Sequence, residues 1–170
     1  MAIITRKVLA DNDIPEDELI KILREVLQVE KIILIPKETG DDTGHSDGMV
    51  RIFDERTVLA NDYSNADVSQ SFKDRFYRTL KRSGVEVLLI PYRPVYERID
   101  GYWSASGCYI NYLQVGEKIF LPTFEDPVND EMAIHRFGEI FGQENIIPVQ
   151  SNEIAKGGGI LNCLSWEMVP

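Results

Sequence analysis

The sequence predicts an α/β fold built from a repeated unit of strand, strand, helix and strand. Three observations lead there. Short apolar stretches of strand length alternate with longer ones of helical period. The full order of the unit occurs from Met49 to Ile90 and again from Cys108 to Val149, a repeat of roughly 50 to 60 residues. Both ends look cut: the chain starts at what would be a unit's second strand and stops after what would be another's first. The pattern reads as an arc taken from a larger ring. At 170 residues the chain is long enough for one full core, so a single domain over 1–170 is expected.

Ile3 to Leu9 reads as a strand, and Asn12-Asp13-Ile14-Pro15 supplies a cap candidate and an early proline for a helix. Within that helix, from Glu18 to Val26, the apolar positions Leu19, Ile20, Ile22, Leu23, Val26 and Leu27 recur at helical spacing, and Lys31 to Ile35 is the next strand. A polar loop runs from Pro36 to Ser46. Met49 to Phe53 and Thr57 to Ala60 are paired strands around Asp54-Glu55-Arg56. A helix from Asp67 to Arg82 stops at Ser83-Gly84, and Val85 to Ile90, an unbroken apolar run, reads as a buried strand. Cys108 to Val115 and Lys118 to Phe124 then pair around Gly116-Glu117, followed by a helix from Asn129 to Phe141 and a strand from Asn145 to Val149. A last strand is expected from Gly159, carrying Ile160, Leu161, Cys163 and Leu164. Pro91 to Gly107 lacks periodicity but holds Tyr92, Tyr96, Tyr102 and Trp103, which marks it as a candidate substrate-covering loop.

Composition narrows the function classes. The chain is 44% hydrophobic and 27% charged, an ordinary soluble balance, with no apolar run near the roughly 20 residues of a membrane span. The segment Met1 to Lys7 lacks the apolar stretch of a signal peptide, so a cytoplasmic location is expected. A net charge of −10 disfavours nucleic acid and anionic membrane as partners and is compatible with a cationic substrate. Two dispersed cysteines and two unclustered histidines show neither a disulfide framework nor metal-ligand spacing. No phosphate-binding glycine motif ends in Lys-Ser or Lys-Thr. No metal and no cofactor are therefore expected.

Two segments carry chemistry: Thr43-Gly44-His45-Ser46-Asp47-Gly48, and Lys156-Gly157-Gly158-Gly159-Ile160-Leu161-Asn162-Cys163. A glycine-rich turn leading to a lone cysteine, with a distant His-x-Asp, is a common encoding of a thiol nucleophile and its proton-transfer partner. If so, Cys163 and His45 must come within hydrogen-bond reach in the fold. Gly157 to Gly159 read either as a flexible turn or, at Gly158 and Gly159, as a place where a ligand approaches the backbone. Asp47 reads either as a site carboxylate or as a turn residue before Gly48. Cys108 in its apolar surroundings reads as core, Tyr109 and Tyr112 as packing, and His135 as a solvated helix position. The charges at Lys73, Asp74, Arg75, Lys81 and Arg82 read as a solvated face.

The segments Leu34-Ile35-Pro36, Gly40-Asp41-Asp42-Thr43-Gly44-His45-Ser46-Asp47, Tyr109-Ile110-Asn111-Tyr112, Leu121-Pro122-Thr123-Phe124 and Gly157-Gly158-Gly159-Ile160-Leu161-Asn162-Cys163 together resemble the agmatine deiminase and bacterial peptidylarginine deiminase family. That family belongs to the guanidine-modifying superfamily. The resemblance implies a pentein-like propeller of αβ units with the active site in its central channel, of which this chain is the C-terminal part. It implies hydrolysis of a guanidine, agmatine or a free or peptidyl arginine, to a ureido product and ammonia. Cys163 takes the place of the nucleophile that forms a covalent thiouronium. His45 takes that of the general acid and base, and Asp47 that of a carboxylate binding the guanidinium. Two further carboxylates of the family site belong to an N-terminal half whose motifs are not among these residues. The isolated chain is thus expected to carry an incomplete site and to need that half, a partner chain or a second copy. Contact is expected at the strand around Ile3 to Val8 or at the one from Ile160. The rival readings are a non-catalytic module that binds a guanidine, and an amidinotransferase that passes the same group to an amine.

Overall fold

A four-residue parallel pair starts the fold: β1 (Ala2–Thr5) lies beside β2 (Ile32–Ile35), Ala2 opposite Ile32 and Thr5 opposite Ile35. The structure is a computed structural model and describes residues 1–41, 43–166 and 168. Asp42, inside one of the motifs quoted above, lies outside the described residues. The described chain divides into two compact units, residues 1–59 with 67–88, and residues 60–66 with 89–170.

In the first unit β1 is shorter than the predicted Ile3 to Leu9. Its partner strand ends at Ile35, whose carbonyl accepts from the Arg6 amide, and Pro36 beyond it has no N–H to donate. The chain turns there into α1 (Lys7–Asp11), and α2 (Glu16–Leu27) leads on to β2. The acidic Glu16, Asp17 and Glu18 sit at the positive end of α2, and Gln28 closes it in the left-handed conformation (φ 51°) with its amide bonded to Arg24. Only Leu19 of the predicted apolar stripe is fully buried; Ile22, Val26 and Leu27 are exposed. Next come β3 (Val50–Ile52), β4 (Thr57–Asp62), α3 (Gln70–Arg82) and β5 (Glu86–Pro91), with sheet order β3-β4-β5, residues 60–62 of β4 and 89–91 of β5 being counted in the second unit. Ser69 caps α3 by accepting from the Phe72 amide at 3.2 Å. Phe72, Phe76 and Leu80, one face of that helix, are buried and α3 packs on β2. Lys73 apart, which is half-buried, the charged positions named above on this helix face solvent, as expected. β5 is not the buried strand its apolar run suggested: it is an edge strand with Glu86 and Leu89 exposed.

In the second unit, residues 91–107 are not featureless. They hold a small antiparallel hairpin, β6 (Arg98–Ile99) and β7 (Tyr102–Trp103), with Arg98 over the Trp103 ring at 5.5 Å. The strand predicted over Cys108 to Val115 shrinks to β8 (Leu113–Val115). Residues 107–112 are buried one after another. They turn locally, with the Cys108 amide bonded to Ala105 and that of Asn111 to Cys108. β8 pairs antiparallel with β9 (Lys118–Thr123), and β9 parallel with β10 (Ile146–Gln150), through α4 (Pro127–Phe141). Tyr112 stacks edge-on to Phe137 and Phe141 at 5.2 and 5.6 Å. Tyr109 donates to Asp130 at 2.8 Å, and burial, with that carboxylate, pushes its phenol above the usual value. Cys108, Tyr109 and Tyr112 are core and His135 is solvated, as read from sequence.

The repeat is therefore present: β3-β4-α3-β5 and β8-β9-α4-β10 share element order and sheet order, and the parallel pair β1-β2 matches the β9-β10 half of a unit. The predicted last strand is absent. After α5 (Asn152–Ala155) the chain proceeds through turns, with the Leu164 amide bonded to Ile160 and that of Ser165 to Asn162. No helix among the described residues is long and apolar enough to cross a membrane.

Asp126 caps α4 by accepting from the Asn129 amide at 3.2 Å. The Asn129 side-chain and backbone donors hold its carboxyl below the usual value. The Asp126→Ala variant is expected to lose about 1 kcal/mol in urea denaturation at pH 7. Because the folded value is the lower one, this contribution is complete above the unfolded pKa near ~3.9. It is lost as pH falls through the folded value, so the gap between variant and parent should close in acid.

Candidate active site

His45 and Asp47 lie in the first unit, on a segment pinned on both sides of the histidine. The Thr5 hydroxyl donates to the Gly44 carbonyl, and the Ser46 hydroxyl donates to the Ile3 carbonyl at 2.9 Å, so β1 holds the residues flanking His45. The Ser46 carbonyl accepts from the amides of Met49 and Val50, both at 2.9 Å, which leads the chain into β3. Gly44 is at φ 69°, and a Cβ there would stand 2.6 Å from the Lys7 side chain. The positive φ favours glycine, whereas the Lys7 side chain is long and flexible enough to move aside. The Asp41 carboxylate accepts from the Thr43 amide at 2.8 Å and from its hydroxyl, an Asx-type turn that shapes the approach. His45 is exposed and Asp47 half-buried.

Cys163, Gly158 and Gly159 lie in the second unit. Cys163 is exposed, on a turn rather than a strand. The turn is fixed from below by Ile160, which is 1% exposed, and from the side by Asn111. The Asn111 side-chain amide donates to the Cys163 sulfur at 3.2 Å, while its oxygen accepts from the Cys163 amide at 3.3 Å. The Asn111 carbonyl takes the Asn162 amide at 3.2 Å. One buried asparagine thus holds the thiol's position and presents an N–H to its sulfur. Asn111 stands in a motif quoted above, but its partner is 52 residues away, and nothing in local pattern joins the two.

The glycine run does close-approach work on its own chain. Gly158 is at φ 82°, and a Cβ there would lie 3.3 Å from the Trp103 carbonyl and 3.5 Å from the Tyr102 side chain. At Gly159 it would lie 3.1 Å from Cys163 Cβ. The Ala105 amide bonds to Ala155 at 2.9 Å. The hairpin bearing Tyr102 and Trp103, both well exposed, is thereby seated beside the glycines that lead to Cys163. Gly158→Ala is expected to loosen it, by about 1–2 kcal/mol from the positive φ alone, with faster hydrogen exchange at the Ala105 amide as the local readout. The structure therefore assembles two groups of the sequence-predicted residues, His45 with Asp47, and Cys163 with Gly158 and Gly159, each within its own unit. Among the described residues no cluster of three or more His, Cys, Asp and Glu is placed to hold a metal.

Comparison with known proteins gives concordant results. The sequence is 33% identical to the "Putative agmatine deiminase" of Shewanella sp. (strain W3-18-1) over 63 residues, 37% of this chain and 17% of that protein. The solved agmatine deiminase of C. jejuni superposes with a TM-score of 0.75 at 19% identity, over 95% of this chain and 50% of that one. A crystal structure "of a putative peptidyl-arginine deiminase" superposes with a TM-score of 0.78 at 18% identity, over 99% and 54%. At such identities these superpositions speak for the fold alone. The chain spans about half the length of the solved structures it matches. The description of the Porphyromonas-type peptidyl-arginine deiminases matches residues 1–169, and the chain belongs to that family.

Proposed function

We propose that these residues are the nucleophile-bearing part of a guanidine deiminase, acting in the cytoplasm on agmatine or an arginine derivative. The observation that carries the reading is Cys163 itself: exposed, on a turn after the glycine run, with an asparagine N–H on its sulfur. In this reading the Cys163 thiolate attacks the guanidinium carbon. His45 protonates the departing nitrogen, the C–N bond breaks, and ammonia leaves a thiouronium on Cys163. His45 then takes a proton from water, the hydroxide adds to the same carbon, and the C–S bond breaks to return the thiolate and release a urea. Histidine suits both transfers because its ordinary pKa lies nearest neutrality. Asp47 pairs with the cationic guanidinium, Gly158 and Gly159 let it approach the backbone, and the Tyr102-Trp103 hairpin covers it. The mechanism requires His45 and Cys163 to meet, and the fold proposed for that is one domain, a pentein-like propeller with both segments at its central channel.

Two further carboxylates, from an N-terminal half or a partner copy, complete the hold on the substrate. Exposed apolar side chains support such a covering partner: Ile22, Val26 and Leu27 on α2, and Leu164, Trp166 and Met168 after the cysteine. The C-terminal contact is thus read from turns and an apolar tail, in place of the strand expected from Ile160. The test is ammonia release from agmatine, free arginine and a peptidyl arginine, by the 170 residues alone and with the family's N-terminal half supplied by fusion or in trans. The expected result is little release alone and turnover of one of the three when assembled. Guanidine binding without release would instead establish the binding-module reading, and amidino transfer to an amine without ammonia the transferase.

A further inference from the structure

The chain's net charge of −10 conceals a concentrated cationic site on the first unit. A groove of about 250 Å³ is lined by Arg6, Pro36, Arg75, Arg78, Thr79 and Arg82, four guanidinium groups and no carboxylate. Arg75, Arg78 and Arg82 stand at i, i+3 and i+7 on α3, along the flank of the face that buries Phe72, Phe76 and Leu80. Their spacing stacks like charges along one stripe. Arg6 joins them from the turn between β1 and α1, and Pro36, buried, lies at the groove's inner side.

The four are not equally occupied. Arg6 is held by Glu16 in a two-point pair with contacts of 3.0 and 2.6 Å, and Arg75 Nε donates to the Ser71 carbonyl at 3.3 Å. Arg78 and Arg82 have no carboxylate partner among the described residues. Asp74, which could pair with Arg78 at i+4, accepts from Gln70 at 2.8 Å. Arg82 gains from its place at the helix C-terminus, but that gain does not account for Arg78 or for the convergence with Arg6.

We propose that this groove binds a small anion carrying two linked phosphate groups. A guanidinium is a planar fork that matches the oxygens of one phosphate. Two open forks, flanked by two that keep spare donors, match a diphosphate better than a single phosphate, and the groove is too small for a folded partner. The site is independent of the deiminase reading, because none of its residues belongs to the proposed catalytic set.

The test is calorimetric titration of the 170-residue chain with inorganic diphosphate, inorganic phosphate and hexaglutamate. Diphosphate should bind at one site, at least tenfold more tightly than phosphate, and weaken as salt rises. Arg78→Ala and Arg82→Ala should each weaken it at least tenfold, and Arg78→Lys should restore only part of the loss because it keeps the charge without the fork. Lys81→Ala, on the same helix but outside the groove, should leave affinity within twofold. Lack of saturation by diphosphate, an equal effect of Lys81→Ala, or saturation by hexaglutamate in its place would each overturn the proposal. The last would assign the groove to an acidic peptide.

Discussion

Cys163→Ala in the assembled protein is expected to reduce ammonia release by about 10⁴-fold or more, because no other side chain can take over the covalent step. Cys163 is exposed, so its thermal midpoint should stay within a degree or two of the parent. Asn111→Ala separates positioning from chemistry. It leaves the nucleophile in place but removes the N–H from its sulfur and the acceptor from its amide. A hydrogen bond to a charged group is worth about 1.5–3 kcal/mol, which predicts a fall in turnover of roughly 10- to 150-fold. The rate of thiol alkylation followed against pH should rise at higher pH in Asn111→Ala than in the parent. A purely structural asparagine would lower stability without moving that profile, and the covalent reading would fail outright if Cys163→Ala kept its turnover.

The difference between Cys163 and Asn111 shows what the sequence could carry. α4, β9 and β10 are legible in the sequence because helical period and the turn at Gly116-Glu117 agree locally, although the Asp126-Pro127 start that adds two residues before Asn129 is seen only in the structure. The run from Cys108 to Tyr112 reads as strand because continuous burial has no period, and only the hydrogen bonds from Cys108 to Ala105 and Asn111 to Cys108 reveal its turns. The segment around Cys163 failed for a related reason. Ile160, Leu161 and Leu164 suggest a strand, yet only Ile160 is buried, and short-range bonds take up the amides a sheet would have used. Cys163 and His45 stood out by residue type and glycine context. Asn111 did not, since its function depends on a partner 52 residues distant. Arg75 and Arg82 read only as part of a mixed-charge solvated face, and their convergence with Arg78 and Arg6 exists only after β1 pairs with β2 and α3 packs on β2.

Gly107→Ala is expected to cost far more stability than Gly101→Ala. Gly107 is at φ 82°, and a Cβ there would stand 1.7 Å from the Arg93 carbonyl oxygen and 2.4 Å from its carbon. The first distance approaches a covalent bond length, and the obstacle is backbone, so no rotamer relieves it. The two segments are tied at that point by the Arg93 amide donating to the Gly107 carbonyl at 3.1 Å and by the bridge between Tyr92 and Cys108. Accommodating the methyl means parting them. Gly101 supplies the control, since its φ is 92° and a Cβ would meet nothing within 4 Å. Gly101→Ala should therefore cost only the backbone term, about 1–2 kcal/mol, whereas Gly107→Ala should exceed about 4 kcal/mol. With a urea slope of about 1–3 kcal/mol/M, the second variant's midpoint should drop by more than about 1 M, and hydrogen exchange should accelerate first at Arg93 and Cys108. Equal losses at the two glycines would mean that Arg93 and Gly107 do not approach so closely. Gly107 closes the base of the segment that seats Tyr102 and Trp103 beside Gly158. A folded remnant of Gly107→Ala should therefore also lose turnover in the assembled protein, although it changes none of the residues proposed to touch the substrate.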